Sequence, residues 1–100
     1  MNKKINIVSY ISEGHASAST ESDLSRWTGL STRAVRMAIS KARRETVILN
    51  MQDGKGYFLP SKDGDEDYLV DEWIRQEENR LKQHALALRG ARNFVKGVKI

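Results

Sequence analysis

Between Thr32 and Arg44 the chain places Arg33, Arg36, Lys41, Arg43 and Arg44 among Thr32, Met37 and Ser40, with no acidic residue in the interval. On a helix turning about 100° per residue, Arg33, Met37, Ser40 and Arg44 form one stripe, Arg36 and Lys41 flank it, and Arg43 lies nearer its edge. Val35, Ala38, Ile39 and Ala42 gather on the opposite face, which must pack inward. Recognition of anions and of hydrogen-bonding edges is the chemistry open to the outward face. A planar guanidinium fork bonds a guanine edge bidentately, each good pair discriminating by roughly 1–3 kcal/mol, or it holds a phosphate. The first helical residues usually lie deepest in a groove, so Thr32, Arg33, Arg36, Met37 and Ser40 are the expected groove readers. Lys41, Arg43 and Arg44 are expected to anchor on the nucleic-acid backbone. The competing reading of such a stripe is a solvated basic face.

Other chemistries find no residues to carry them. His15 and His84 lie in unrelated segments, the chain has no cysteine, and no His and carboxylate set has the spacing of metal ligands. The acids from Asp63 to Glu72 match neither a calcium loop nor a paired acid and base. Gly54 and Gly56 read as a hairpin turn, not as a phosphate-cradling loop. The expectation is a protein that is not an enzyme, with no cofactor, no metal and no small-molecule substrate.

The elements that must position the basic stripe follow from the flanking sequence. Ile5 to Ile11 fits helical spacing through Ile7, Val8 and Ile11 or period two through Ile5, Ile7, Ser9 and Ile11, and helix is favoured because Gly14 and the small residues Ala16 to Ser19 read as a helix exit. Thr20 to Asp23 offers a hydroxyl cap with an acid three residues on, so a helix is predicted to start there, with Leu24 and Trp27 as its apolar face. Thr28-Gly29-Leu30-Ser31 breaks it at a glycine suited to a left-handed turn, Leu30 points inward, and Ser31 caps the next helix, residues 32–45. Two short helices joined by a glycine-containing turn have the spacing of a helix-turn-helix. Val47 to Met51 is rich in strand formers, Gln52-Asp53-Gly54-Lys55-Gly56 is a turn, and Tyr57-Phe58-Leu59 returns as a second strand. A helix-turn-helix followed at once by a hairpin is the order of a winged helix. Lys55 at the tip is placed to reach a phosphate or the minor groove, but beside Asp53 it makes a weakly charged wing, secondary to the helix.

On Leu24-Ser25-Arg26-Trp27-Thr28-Gly29-Leu30-Ser31-Thr32-Arg33-Ala34-Val35-Arg36, then Ala38-Ile39, then Gly54-Lys55-Gly56-Tyr57-Phe58-Leu59, residues 1 to about 60 resemble the winged helix-turn-helix domains of small bacterial and bacteriophage DNA-binding proteins. The stretch from Thr28 to Arg36, followed by Lys41 to Glu45 and the glycine-tyrosine hairpin, resembles prophage-encoded proteins with an appended C-terminal helix. The resemblance implies double-stranded DNA binding, in transcription control or in replication initiation, and nothing catalytic.

The second half differs in character. Ser61 to Asp67 reads as an acidic linker that can cap a helix at Asp65 or Asp67, and no breaker follows until Gly90. Ile74, Leu81, Leu88 and Val95 recur every seven residues, with Val70, Ala85 and Ala91 nearby, which marks a seam. Glu77 and His84 interrupt its companion line, and Gly90 weakens the helix by about 1 kcal/mol. Residues 62–78 carry eight acids against Lys62 and Arg75, whereas 79–100 carry six basic residues and no acid. Two such helices laid antiparallel would match acidic to basic halves, so a homodimer through residues 68–95 is expected, presenting two recognition helices to half-sites about one DNA turn apart. The alternatives are that Trp73, Ile74 and Leu81 pack on the first domain, and that Arg89 to Lys99 touches phosphates directly.

The organisation expected is therefore a mainly α chain with a small β-hairpin: a winged helix-turn-helix domain at 1–60, an acidic linker at 61–67 and a long C-terminal helix at 68–100. With 39% hydrophobic residues in 100, one compact core is all the chain can bury. All of the net charge of +4 lies in residues 1–59, which suits a polyanionic partner. No apolar run approaches the roughly 20 residues of a membrane span, no signal-peptide core follows Lys3 and Lys4, and the lack of cysteine suits a reducing compartment. A soluble, cytoplasmic protein is expected. A transcriptional regulator of phage or bacterial origin is the leading expectation, with a replication-initiation accessory or a protein-interaction adaptor on the same scaffold as the alternatives.

Overall fold

The computed structural model describes residues 5–97, so Lys3, Lys4 and Lys99 lie outside the described residues. The chain is mainly helical, with a two-stranded antiparallel hairpin and a long C-terminal helix. It divides into two compact units, Met1–Val70 and Asp71–Ile100. Among the described residues no helix is long and apolar enough to cross a membrane.

In the first unit Ile7–Tyr10 forms a 3-10 turn in place of the α-helix expected over Ile5–Ile11. Asn6 accepts a hydrogen bond from the Val8 amide, and Ile11 is already extended. The two buried anchors, Ile7 and Ile11, are thereby fixed by a single tight turn. Helix α1, Glu21–Thr28, starts on the capping box as the sequence predicts: Thr20 Oγ1 accepts from Asp23 N, and Asp23 Oδ2 accepts from Thr20 N. It ends at Gly29, whose φ of +78° is the left-handed conformation that glycine adopts without strain. Helix α2, Thr32–Ala42, is capped by the Ser31 hydroxyl, which accepts from Ala34 N.

The turn between α1 and α2 is closed from both sides. Ser25 Oγ donates to Leu30 O at 2.6 Å, and Thr28 Oγ1 accepts from Leu30 N at 3.1 Å. Leu24, Val35 and Ile39 are buried with Ile7, Ile11 and Ile48, and Leu30, Ala38 and Ala42 pack against that cluster. Each such side chain contributes about 1.5–3 kcal/mol relative to an exposed one. Trp27 does not share the α1 core face predicted for it with Leu24: it is 51% exposed. Leu24 alone reaches the centre of the core from this two-turn helix.

Strands β1, Leu49–Asn50, and β2, Tyr57–Phe58, pair antiparallel, Leu49 opposite Phe58 and Asn50 opposite Tyr57. The other edge of β2 is also occupied. Ser19 exchanges both backbone hydrogen bonds with Tyr57 at 2.7 and 2.9 Å, and Leu59 bonds the backbone of Ser12 and Gly14. At Gly56, with φ of +105°, a Cβ would lie 2.1 Å from the Ser19 carbonyl oxygen. Only glycine lets the two backbones approach so closely.

The acidic stretch expected as a linker, 61–67, belongs to the first unit. Glu66 accepts from the amides of Ser61 and His15, Glu13 accepts from the amide of Lys62, and Leu69 is buried. Helix α3, Asp67–Val95, then runs for 29 residues. It passes through Gly90, since a cost of about 1 kcal/mol does not stop a helix with good formers on both sides.

Candidate nucleic-acid interface

The outward face of α2 carries the side chains that its rotation assigns to it. Thr32, Arg33, Arg36, Met37, Ser40 and Lys41 are all exposed on α2, Met37 to 63%; the helix ends at Ala42 and not at residue 45 as expected, so Arg44, also exposed, lies in the turn that follows. Because Ser31 and Gly29 fix the helix start while Val35 and Ile39 lock its rotation in the core, these side chains project from a rigid support. Among the described residues no ion pair involves Arg33, Lys41 or Arg44.

Arg43 requires a correction. Its Nε donates to the Ile48 carbonyl at 2.9 Å and its NH2 to Asn50 Oδ1 at 2.7 Å, and the guanidinium lies 5.6 Å from the centre of the Tyr57 ring. About 40° of helical rotation separates Arg43 from the buried Ile39, so it leaves α2 on the side of the hairpin. Its charge holds the hairpin to the helix and is not presented with the outward stripe.

Arg36 stands between the two cases. It is exposed, yet its NH1 donates to Glu21 Oε1 at 2.9 Å. Glu21 also accepts from the Tyr57 hydroxyl at 3.3 Å. Burial of the Tyr57 ring, reinforced by the Glu21 charge, pushes its phenol above the usual range. Glu21 thus ties α1, α2 and the hairpin together. Sequence reasoning missed it, because a first-turn acid is explained by the helix dipole and nothing local reveals a partner 15 residues away.

Comparison with protein-family models, with curated proteins and with solved structures returns no match.

The hairpin tip is held by chemistry that the sequence did not reveal. His15 stacks on Phe58 with ring centres 4.7 Å apart, and its Nε2 donates to Asp53 Oδ2 at 2.6 Å. Asp53 Oδ1 accepts from Lys55 N at 3.0 Å. That backbone bond, with His15 behind it, holds the Asp53 carboxyl below the usual carboxylate range. Lys55 is exposed beside this anchored acid. Among the described residues, no group of three or more His, Cys, Asp or Glu is placed to hold a metal ion.

Proposed function

We propose that this chain binds double-stranded DNA sequence-specifically through a winged helix-turn-helix, as a transcriptional regulator. The observation that carries the reading is the outward face of α2 and the turn after it, where Arg33 and Lys41 on the helix and Arg44 just beyond it are exposed without ion-pair partners among the described residues, beside Thr32, Met37 and Ser40. Cations held on a rigid helix after a tight turn suit a major groove, whose base edges and flanking phosphates offer the matching acceptors. Thr32, Arg33, Met37 and Ser40 read bases in this assignment. Lys41, Arg44 and Lys55 hold phosphates, and Arg36 joins the readers once it exchanges Glu21 for DNA.

Three to five phosphate contacts per module give a slope of about −3 to −5 in log affinity against log salt. The test is selection of bound duplexes from a random pool at two salt concentrations, followed by binding of the selected site to an Arg33→Glu/Arg44→Glu variant. Both positions are exposed, and among the described residues neither side chain takes part in a hydrogen bond or an ion pair, so folding should be unchanged. Loss of affinity of about 100-fold or more is expected. Enrichment of no sequence, or undiminished affinity in the variant, overturns the assignment. Arg36 is a poorer target, because reversing it also sets two acids face to face at Glu21.

A further inference from the structure

We infer that α3 is a self-association helix, in which residues 70–95 pair antiparallel with the same residues of a second copy. Val70, Ile74, Glu77, Leu81, His84, Leu88, Ala91 and Val95 alternate at spacings of four and three, the pattern that keeps one seam facing a partner helix. Along it Leu81 is 70% and Val95 84% exposed, Ile74 and Leu88 are exposed too, and every residue from Leu81 to Arg89 is exposed. Leu88, Ala91 and Val95 border an apolar groove of about 270 Å³.

Charge selects the occupant. The acidic residues of α3, Asp67, Asp71, Glu72, Glu77 and Glu78, all precede its basic cluster of Arg80, Lys82, Arg89 and Arg92, and Arg75 is the one basic residue among them. A parallel copy would lay like charge on like, whereas an antiparallel copy lays each acidic half on a basic half. One register satisfies seam and charge together. It sets Leu81 beside His84 of the second copy, Leu88 beside Glu77, Ile74 beside Ala91 and Val70 beside Val95. The flanks then bring Asp71 near Arg92 of the second copy, and Val70 and Ile74 of that copy fill the groove at Leu88 and Val95. Glu77 and His84 fall in neighbouring central layers, which fixes the register at some cost in affinity.

This inference is independent of DNA, and its test uses the full chain without DNA. Sedimentation from about 1 to about 100 micromolar should show a concentration-dependent dimer. Leu81→Glu/Leu88→Glu should make it monomeric with helix content retained. An Arg89→Glu/Arg92→Glu variant and an Asp71→Lys/Glu78→Lys variant should each fail to self-associate, yet pair when mixed, an outcome that misfolding cannot produce. Because the chain has no cysteine, single nitroxide labels at Ala85→Cys and at Asp71→Cys give the orientation. At 1.5 Å per residue, the axial separation is about 8 Å for the first pair and about 35 Å for the second. A monomer throughout, an unaffected leucine variant, no pairing on mixing, or short distances at both labels each overturn it.

Discussion

At the end of α2, Arg43 turns back onto the hairpin while Arg44, one residue on, faces solvent, and a rotation of about 100° separates their fates. The two arginines should separate in measurement as well. Arg43→Ala removes the hydrogen bonds that Arg43 donates to the Ile48 carbonyl and to Asn50 Oδ1 and uncovers the Tyr57 ring, so chemical denaturation should show a loss of about 1–3 kcal/mol. Arg44→Ala should leave the unfolding midpoint in place, weaken binding to all duplexes alike and reduce the salt slope by about 1. If Arg44→Ala destabilises and Arg43→Ala does not, the division of labour is wrong. Residue types and period were enough to place Arg33, Met37, Ser40 and Arg44 outward. They could not place Arg43, because its partners are a backbone carbonyl and an amide on a strand whose position depends on tertiary packing.

Among the elements, those with strong local signals were legible and those shaped by packing were not. The Thr20 and Ser31 caps, the Gly29 break and the glycine-tipped hairpin each rest on a hydrogen bond or a φ value that the local sequence dictates. Ile5 to Ile11 has apolar residues compatible with either period, and the single 3-10 turn there is set by where Ile7 and Ile11 meet the core. Trp27 lies at helical spacing from Leu24, but that spacing does not reveal how few residues a two-turn helix can bury. The hairpin likewise owes its position to distant groups, through His15 on Phe58 and Asp53. This gives it a pH dependence. Asp53 is held below its ordinary value of 3.8, chiefly by the Lys55 amide and also by His15. Its carboxylate therefore stabilises the folded hairpin fully above that ordinary value, and the contribution is lost as pH falls through the lower folded value. The protection of the Lys55 amide, its exchange rate relative to that of the unfolded chain at the same pH, should hold down to about pH 4 and fall below it. In Asp53→Asn the exchange should be faster at neutral pH and should lose that acid step. An acid step that survives in the variant would assign the effect to another carboxylate, with Asp63, also held low by a backbone amide, as the first alternative.

For the whole molecule, the pairing of α3 and the face of α2 make a joint prediction that neither makes alone. A two-fold pair of α3 helices carries two copies of the α2 face, so the selected sequences should be inverted repeats. Affinity should fall steeply when half a turn is inserted between them and recover with a full turn. In Leu81→Glu/Leu88→Glu the preference for paired half-sites should disappear while single half-site binding persists, since linkage is lost and the recognition face is untouched. A single, non-repeated site bound equally by the parent chain and this variant would leave α2 as the reader but remove α3 from recognition. Paired sites whose spacing is indifferent to insertion would show that the dimer sets affinity without setting geometry.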